Sequence, residues 1–471
     1  MLQKHIQHLY WRAGFGEPYA IVHATEKLSA KQLFKKMLKD SEDFKPIDIV
    51  DMKEIVAEFR QLREMRNMKK DGSGAARDKF KDLQKERKEE QGTLNTTWIG
   101  LMASEKGALR EKMALFWHGH LVSRSLNPAF SQSYLNTLRE NALGSFGDLL
   151  LAVSQEPSML QFLNNKQNKK RSPNENFARE LMELFTLGRG NYSEHDIKEV
   201  ARAFTGWDSN FKGEFVFREN QHDDGEKTIF GKTGNFKGED VILMILKKKE
   251  TANFITAKVY KYFVNENADN QRVTELAKRF YQSNYDIADL LEGIFTADWF
   301  YDEKNIGTHI KSPVELLVGL KRTLNFDFEE QQPNLYIQKV LGQVLLYPPN
   351  VAGWAGGRNW IDSSSLLFRM QLPAMIFSGK ESNISAKNDG DVNTEYQSKK
   401  RGFKANMDWS KFTQNFASEN TNPVEELSEY LLQVPANEAF KQNLAAKFQT
   451  DSEGVRRATL ALMMLPEYQV C

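Results

Sequence analysis

The sequence predicts a mainly α-helical protein, a large bundle-like domain of many helices with a small β-hairpin insertion. Three observations predict it. Apolar residues recur at helical spacing over most of the chain, several helix starts carry complete capping signals, and strand-type patterning is confined to one short stretch.

From Glu54 to Gln91 both signs of charge crowd the chain, broken by Asp71-Gly72-Ser73-Gly74, which predicts two exposed helical arms joined by a turn. Ser193-Glu194-His195-Asp196 reads as a capping box. Ile197, Val200, Ala201 and Phe204 follow at helical spacing before Gly206 stops the helix. Glu214-Phe215-Val216-Phe217 and Thr228-Ile229-Phe230 flank a polar turn at Gln221 to Gly225, predicting one hairpin within about 208–236. Helical patterns run through Asn253 to Phe263, Arg272 to Tyr281 and Ile287 to Phe295. At Ser312-Pro313-Val314-Glu315, a cap serine, a first-turn proline and a glutamate three residues on all agree on a helix start. The stretch 379–408 is polar and predicts a flexible loop. Residues 409–471 return to helical pattern and are expected to pack on the main domain, 1–378.

Composition limits function. Hydrophobic residues are 40% and charged residues 27% of 471, as in ordinary globular chains. Lys plus Arg number 64 against 63 Asp plus Glu, so no net field draws in a polyanion, and nucleic acid is not an expected partner. The only cysteine, Cys471, excludes an intrachain disulfide and a cysteine metal cluster, so any metal needs His, Asp and Glu. No run of eighteen apolar residues predicts a transmembrane helix, and no secretory pattern precedes the first helix. As written the chain reads as cytoplasmic. An exported protein whose signal had been removed reads the same way.

Four segments carry candidate chemistry. In Phe116-Trp117-His118-Gly119-His120, continuing the helix at about 100° per residue turns His118 about 160° away from the apolar face and leaves His120 on it. The pair converges only if the helix ends near Gly119. Packing alone makes His120 a core histidine and His118 a surface one. In Asn174 to Phe185, Glu180 and Glu183 are helical neighbours able to grip a cation, beside Arg179, which equally suits a solvated face. His222-Asp223-Asp224-Gly225-Glu226-Lys227 gathers an imidazole, carboxylates and an amine on one loop, where turn chemistry also explains the aspartates and glycine. Tyr347 to Trp360 mixes prolines, glycines, Trp354 and Trp360, and either lines a pocket or wedges helices apart. No phosphate loop, His-Glu-x-x-His zinc helix, nucleophile elbow or haem attachment site is present.

In the catalytic version of this reading, His118, His120, Glu180 and His222 bind a divalent metal, zinc, manganese or iron, and Glu183 or Asp223 serves as general base for a metal-assisted hydrolase. In the alternative, the chain is a non-catalytic helical scaffold that docks a partner through the charged arms and the Trp354/Trp360 loop.

Ordered stretches along nearly the whole chain also resemble the domain-of-unknown-function 1800 family. They are His8 to Gly16, Trp117-His118-x-His120, Asn174 to Gly188, Ala201 to Trp207, His222 to Thr228, Lys311 to Glu315, and Pro348 to Trp360. The resemblance implies a bacterial, mostly helical protein without an assigned activity. It also implies a partner protein of alkaline phosphatase/sulfatase-like type, since such genes often neighbour the family's. Many relatives carry export signals, which leaves periplasmic or exported location open beside the cytoplasm.

Overall fold

The computed structural model describes residues 1–51, 75–377, 403–416, 423–448 and 450–471. The first predicted arm and most of the predicted 379–408 loop lie outside the described residues. The protein is mainly α-helical, and its strands form three two-stranded sheets among the described residues.

Two helices occupy the centre. In Ala108–His120 every residue but Gly119 is buried, and in Pro313–Leu324 every residue is buried. A helix enclosed on all sides must pair its polar side chains internally, because an unpartnered buried charge is costly. Glu111 takes a forked pair of bonds from Arg139 and a further one from Trp98 Nε1 at 2.8 Å. Arg110 donates to the carbonyls of Ser41, Arg139 and Glu140. Lys112 donates to Glu315, so an ion pair with both side chains no more than 3% exposed ties the two central helices together.

The capping signals form as the sequence predicts. Ser193 and Asp196 close the box before Glu194–Ala203, and Ser312 and Glu315 close the one before Pro313–Leu324. Ile287–Phe295 starts and stops where its pattern does, and Lys249–Phe263 and Asn270–Gln282 contain the other two predicted helices. The 29-residue helix Ala75–Ala103 is mostly exposed from Asp78 to Glu90. It then sinks into the core, burying Leu94, Trp98, Ile99 and Met102.

The single predicted hairpin is corrected to two. Phe215–Phe217 pairs with Trp207–Ser209, and Lys227–Ile229 pairs with Lys232–Gly234, not with each other. Local turns decide this. Phe230 and Gly231 both have positive φ, at 49° and 75°, and so make the two-residue turn whose twist suits a hairpin. Gly213, at φ 81°, lies in the turn of the other.

Residues 309–311 run antiparallel to 469–471. His309 and Cys471 exchange backbone hydrogen bonds at 3.1 and 2.9 Å, and Lys311 N–H donates to Gln469 O at 2.9 Å. The Lys311 ammonium is clamped between the rings of Trp11 and Tyr468, at 3.7 and 3.9 Å from their centroids. The backbone around His309 is therefore fixed on both sides.

Candidate functional site

A cleft of about 530 Å³ opens beside the two central helices. That is within the range of small-ligand pockets. One wall is the end of Ala108–His120, with Phe116 and His120, and a second is Lys249–Phe263, with Lys258, Lys261 and Tyr262. A third is the loop from Val351 to Trp360, and at the fourth side stand His309, Ser312 and Glu315.

The loop wall is held in place from its root. His118 Nε2 accepts the N–H of Leu346 at 3.0 Å, and Leu346 has φ 69°, a conformation that costs a branched side chain energy and persists only where neighbours hold it. Gln338 Oε1 accepts the adjacent Leu345 N–H while bonding Asn95. Further along, Gly353 lies directly against the carbonyl of Gly119, too close for any Cβ. Glycine is required there on both counts, since its φ is 75°.

His309, Glu315 and Lys112 form the charged centre of the site. Nε2 of His309 lies 2.9 Å from Oε2 of Glu315, whose other oxygen takes the Lys112 bond. Glu315 is 1% exposed and His309 12%. Burial opposes ionisation of Glu315, but the Lys112 ammonium and the Ser312 donors outweigh it and hold the carboxyl below its ordinary value. Ionised Glu315 is acceptor-only, so Nε2 of His309 carries a proton, and in the neutral form of the ring Nδ1 keeps the lone pair. Nδ1 has no hydrogen-bond partner among the described residues and is not sealed from solvent. The Tyr262 ring stands edge-on to His309 at 5.9 Å, its hydroxyl buried without a partner among the described residues. Burial, and then the Glu315 charge, push that phenol well above its ordinary value.

Of the six residues picked out from sequence, His120 alone lines this cleft. Its Nε2 meets the Phe185 carbonyl at 3.0 Å, and its ring packs among Phe116, Phe185 and Phe254. Burial, and then the Lys258 charge, lower its pKa to about 4. His118 is fully buried rather than on the surface, because Trp98, Tyr134 and Trp354 close over the opposite side of the helix. Burial lowers its pKa to about 3. The helix runs unbroken through Gly119, so the two imidazoles face different neighbours.

Glu180 and Glu183 lie where a short α-turn, Asn176–Glu180, widens into the π-helix Leu181–Thr186. Glu180 is half-buried, and burial, then the neighbouring Glu183 charge, raises its pKa. Glu183 bonds Arg189 at 2.6 Å and Tyr192 at 2.9 Å, and the Arg189 bond holds its carboxyl low. His222 is buried, with Nδ1 at 2.9 Å from the Thr205 carbonyl. Asp223 is gripped by Arg202 through bonds of 2.7 and 3.1 Å. Among the described residues, no three His, Cys, Asp or Glu side chains are grouped to hold a metal ion.

Sequence reading thus missed His309, Glu315 and Tyr262. A signal existed for Glu315, whose cap role was visible but explained the residue too well to suggest another. His309 stands three residues before Ser312 with no local pattern to mark it.

Residues 8–470 match the family described as Protein of unknown function (DUF1800). The chain belongs to that family. No curated protein and no solved structure matches it. For this DUF1800 protein the site is therefore read from its own geometry. Among the described residues no helix is long and apolar enough to cross a membrane.

Proposed function

We propose that this DUF1800 protein is an enzyme whose cleft performs acid–base chemistry, hydrolysis being the simplest case, with His309 as the proton-transfer group. The observation that carries this is the 2.9 Å bond from His309 Nε2 to buried Glu315 at the wall of a ligand-sized cleft. Glu315 fixes the tautomer and ring orientation and stabilises the imidazolium that forms when Nδ1 takes a proton. Lys112 in turn keeps Glu315 ionised. Tyr262, held neutral by its surroundings, is a donor beside the developing charge. The chemistry expected of the His118, Glu180 and His222 segments is thereby assigned to a different histidine–carboxylate pair.

The test is turnover of a panel of p-nitrophenyl esters, phosphates and glycosides by wild type and His309→Gln. Loss of about 10²–10⁴-fold in kcat/KM for any substrate turned over, with the unfolding midpoint preserved, supports the assignment. Equal turnover by the variant overturns it.

A further inference from the structure

Three cations line the cleft. Lys258 and Lys261 are one turn apart on Lys249–Phe263, and Arg358 belongs to the loop wall. All three are exposed, and none forms an ion pair among the described residues. Unlike many unpaired surface lysines, these three cations share one cleft. Two carboxylates also line the cleft, but Glu315 is already matched by Lys112. Glu266, which fills the space a Cβ on Gly357 would need, is left as the single acidic group facing three cations. Lys258 and Lys261 repel each other as like charges one helical turn apart. Although Lys258 is exposed as a residue, its ammonium is partly desolvated by the surrounding protein, and this, then the Lys261 charge, lowers its pKa. A bound anion would relieve the repulsion.

The remaining walls are flat and polar-rimmed: Trp354, Trp360 and Tyr262 supply rings, while Gln343 and Asn359 supply amides. Such a mixture suits a compact hydroxylated ring more than an aliphatic chain. We infer that the cleft takes a small polar ring compound bearing a carboxylate or phosphate group, its anion held by Lys258, Lys261 and Arg358. This rests on the cleft being the active site proposed above, which His309 lines together with the three cations.

Calorimetric titration with glucose 6-phosphate, glucuronate and glucose tests it, because the three share a ring and differ in charge. At least one charged probe is expected to bind tenfold or more tighter than glucose, about 1.4 kcal/mol, and more weakly as salt is raised. Preference for glucose 6-phosphate identifies a phosphate ligand and preference for glucuronate a carboxylate. The Lys258→Gln/Lys261→Gln variant, altered only at exposed positions, is expected to lose that tenfold advantage. His309→Gln is expected to bind as wild type does, so catalytic and anion-binding roles fail separately. Glucose binding as tightly as both charged probes, no binding of either charged probe, or unchanged binding by the double variant overturns the inference.

Discussion

His118 and His309 are both close to the cleft, and they have opposite kinds of neighbour. His118 is enclosed by aromatic rings, and its Nε2 accepts a backbone N–H, so its ring nitrogen is spent on holding Leu346 and the loop that follows. His309 meets a buried carboxylate through Nε2 and leaves Nδ1 facing out. The difference teaches that a histidine's role is set by what its two nitrogens meet. Density of histidines in the sequence says little about it. His120 and His222 differ from both, since each directs one ring nitrogen at a main-chain carbonyl rather than at a carboxylate.

The largest expected effect separates the two surroundings by their charge. Glu315→Ala strands the Lys112 ammonium in the core and removes the carboxylate half of the capping box, leaving the Ser312 N–H unmatched, and should cost about 3–5 kcal/mol in guanidinium unfolding. A cost below about 1 kcal/mol would show that the pair is not the buried tie described. His118→Ala comes next, at about 2–4 kcal/mol, from an emptied ring volume and an orphaned Leu346 N–H. Its unfolding midpoint, compared with that of His309→Gln, gives the contrast directly. His309→Gln should shift stability by only about 1 kcal/mol, because its ring is partly exposed and glutamine can still donate to Glu315.

pH sharpens the comparison. His118 and His120 are held neutral, at about 3 and about 4 against an ordinary 6.5. Between those values the unfolded chain binds protons that the folded chain refuses. The stability they contribute is therefore full above pH 6.5 and is lost as pH falls from there toward 4. Unfolding measured at pH 7.5, 6 and 5 should show the decline, and His120→Gln should flatten part of it. Buried Glu156, raised to about 7, gains stability as pH falls and offsets part of the decline in both proteins, so the deciding quantity is the difference: a gap between wild type and His120→Gln that stays constant over this window would contradict the buried, neutral placement of His120. The smallest effect is expected at Glu183→Gln. Its partner Arg189 is on the surface, and the unfolding midpoint should not move.

Much of the fold was legible locally. The capping boxes at Ser193 and Ser312 act within four residues, so their partners are neighbours in sequence and their signal survives without tertiary context. Two of the strands, Phe215–Phe217 and Lys227–Ile229, were legible for the same reason, whereas their partners Trp207–Ser209 and Lys232–Gly234 and the pairing were not. Pairing turned on positive φ at Phe230, a residue type that does not advertise it. The site was the least legible part. Lys112 and Glu315 are 203 residues apart in sequence, and nothing near either marks the other. The Asp223–Arg202 and Glu183–Arg189 pairs show the converse, with chemistry-bearing residues satisfied by nearby partners that a loop or helix reading leaves out of account.

By itself the sequence determined a mainly helical architecture, where many of its helices begin, and membership of a family whose motifs span the chain, because these depend on periodicity and on contacts between neighbours. The tertiary structure alone decided which histidine meets a buried carboxylate, which faces the core, and which cations share the cleft. Those outcomes depend on distant segments meeting in a packed interior, where burial and charge are properties of the surroundings rather than of the residue.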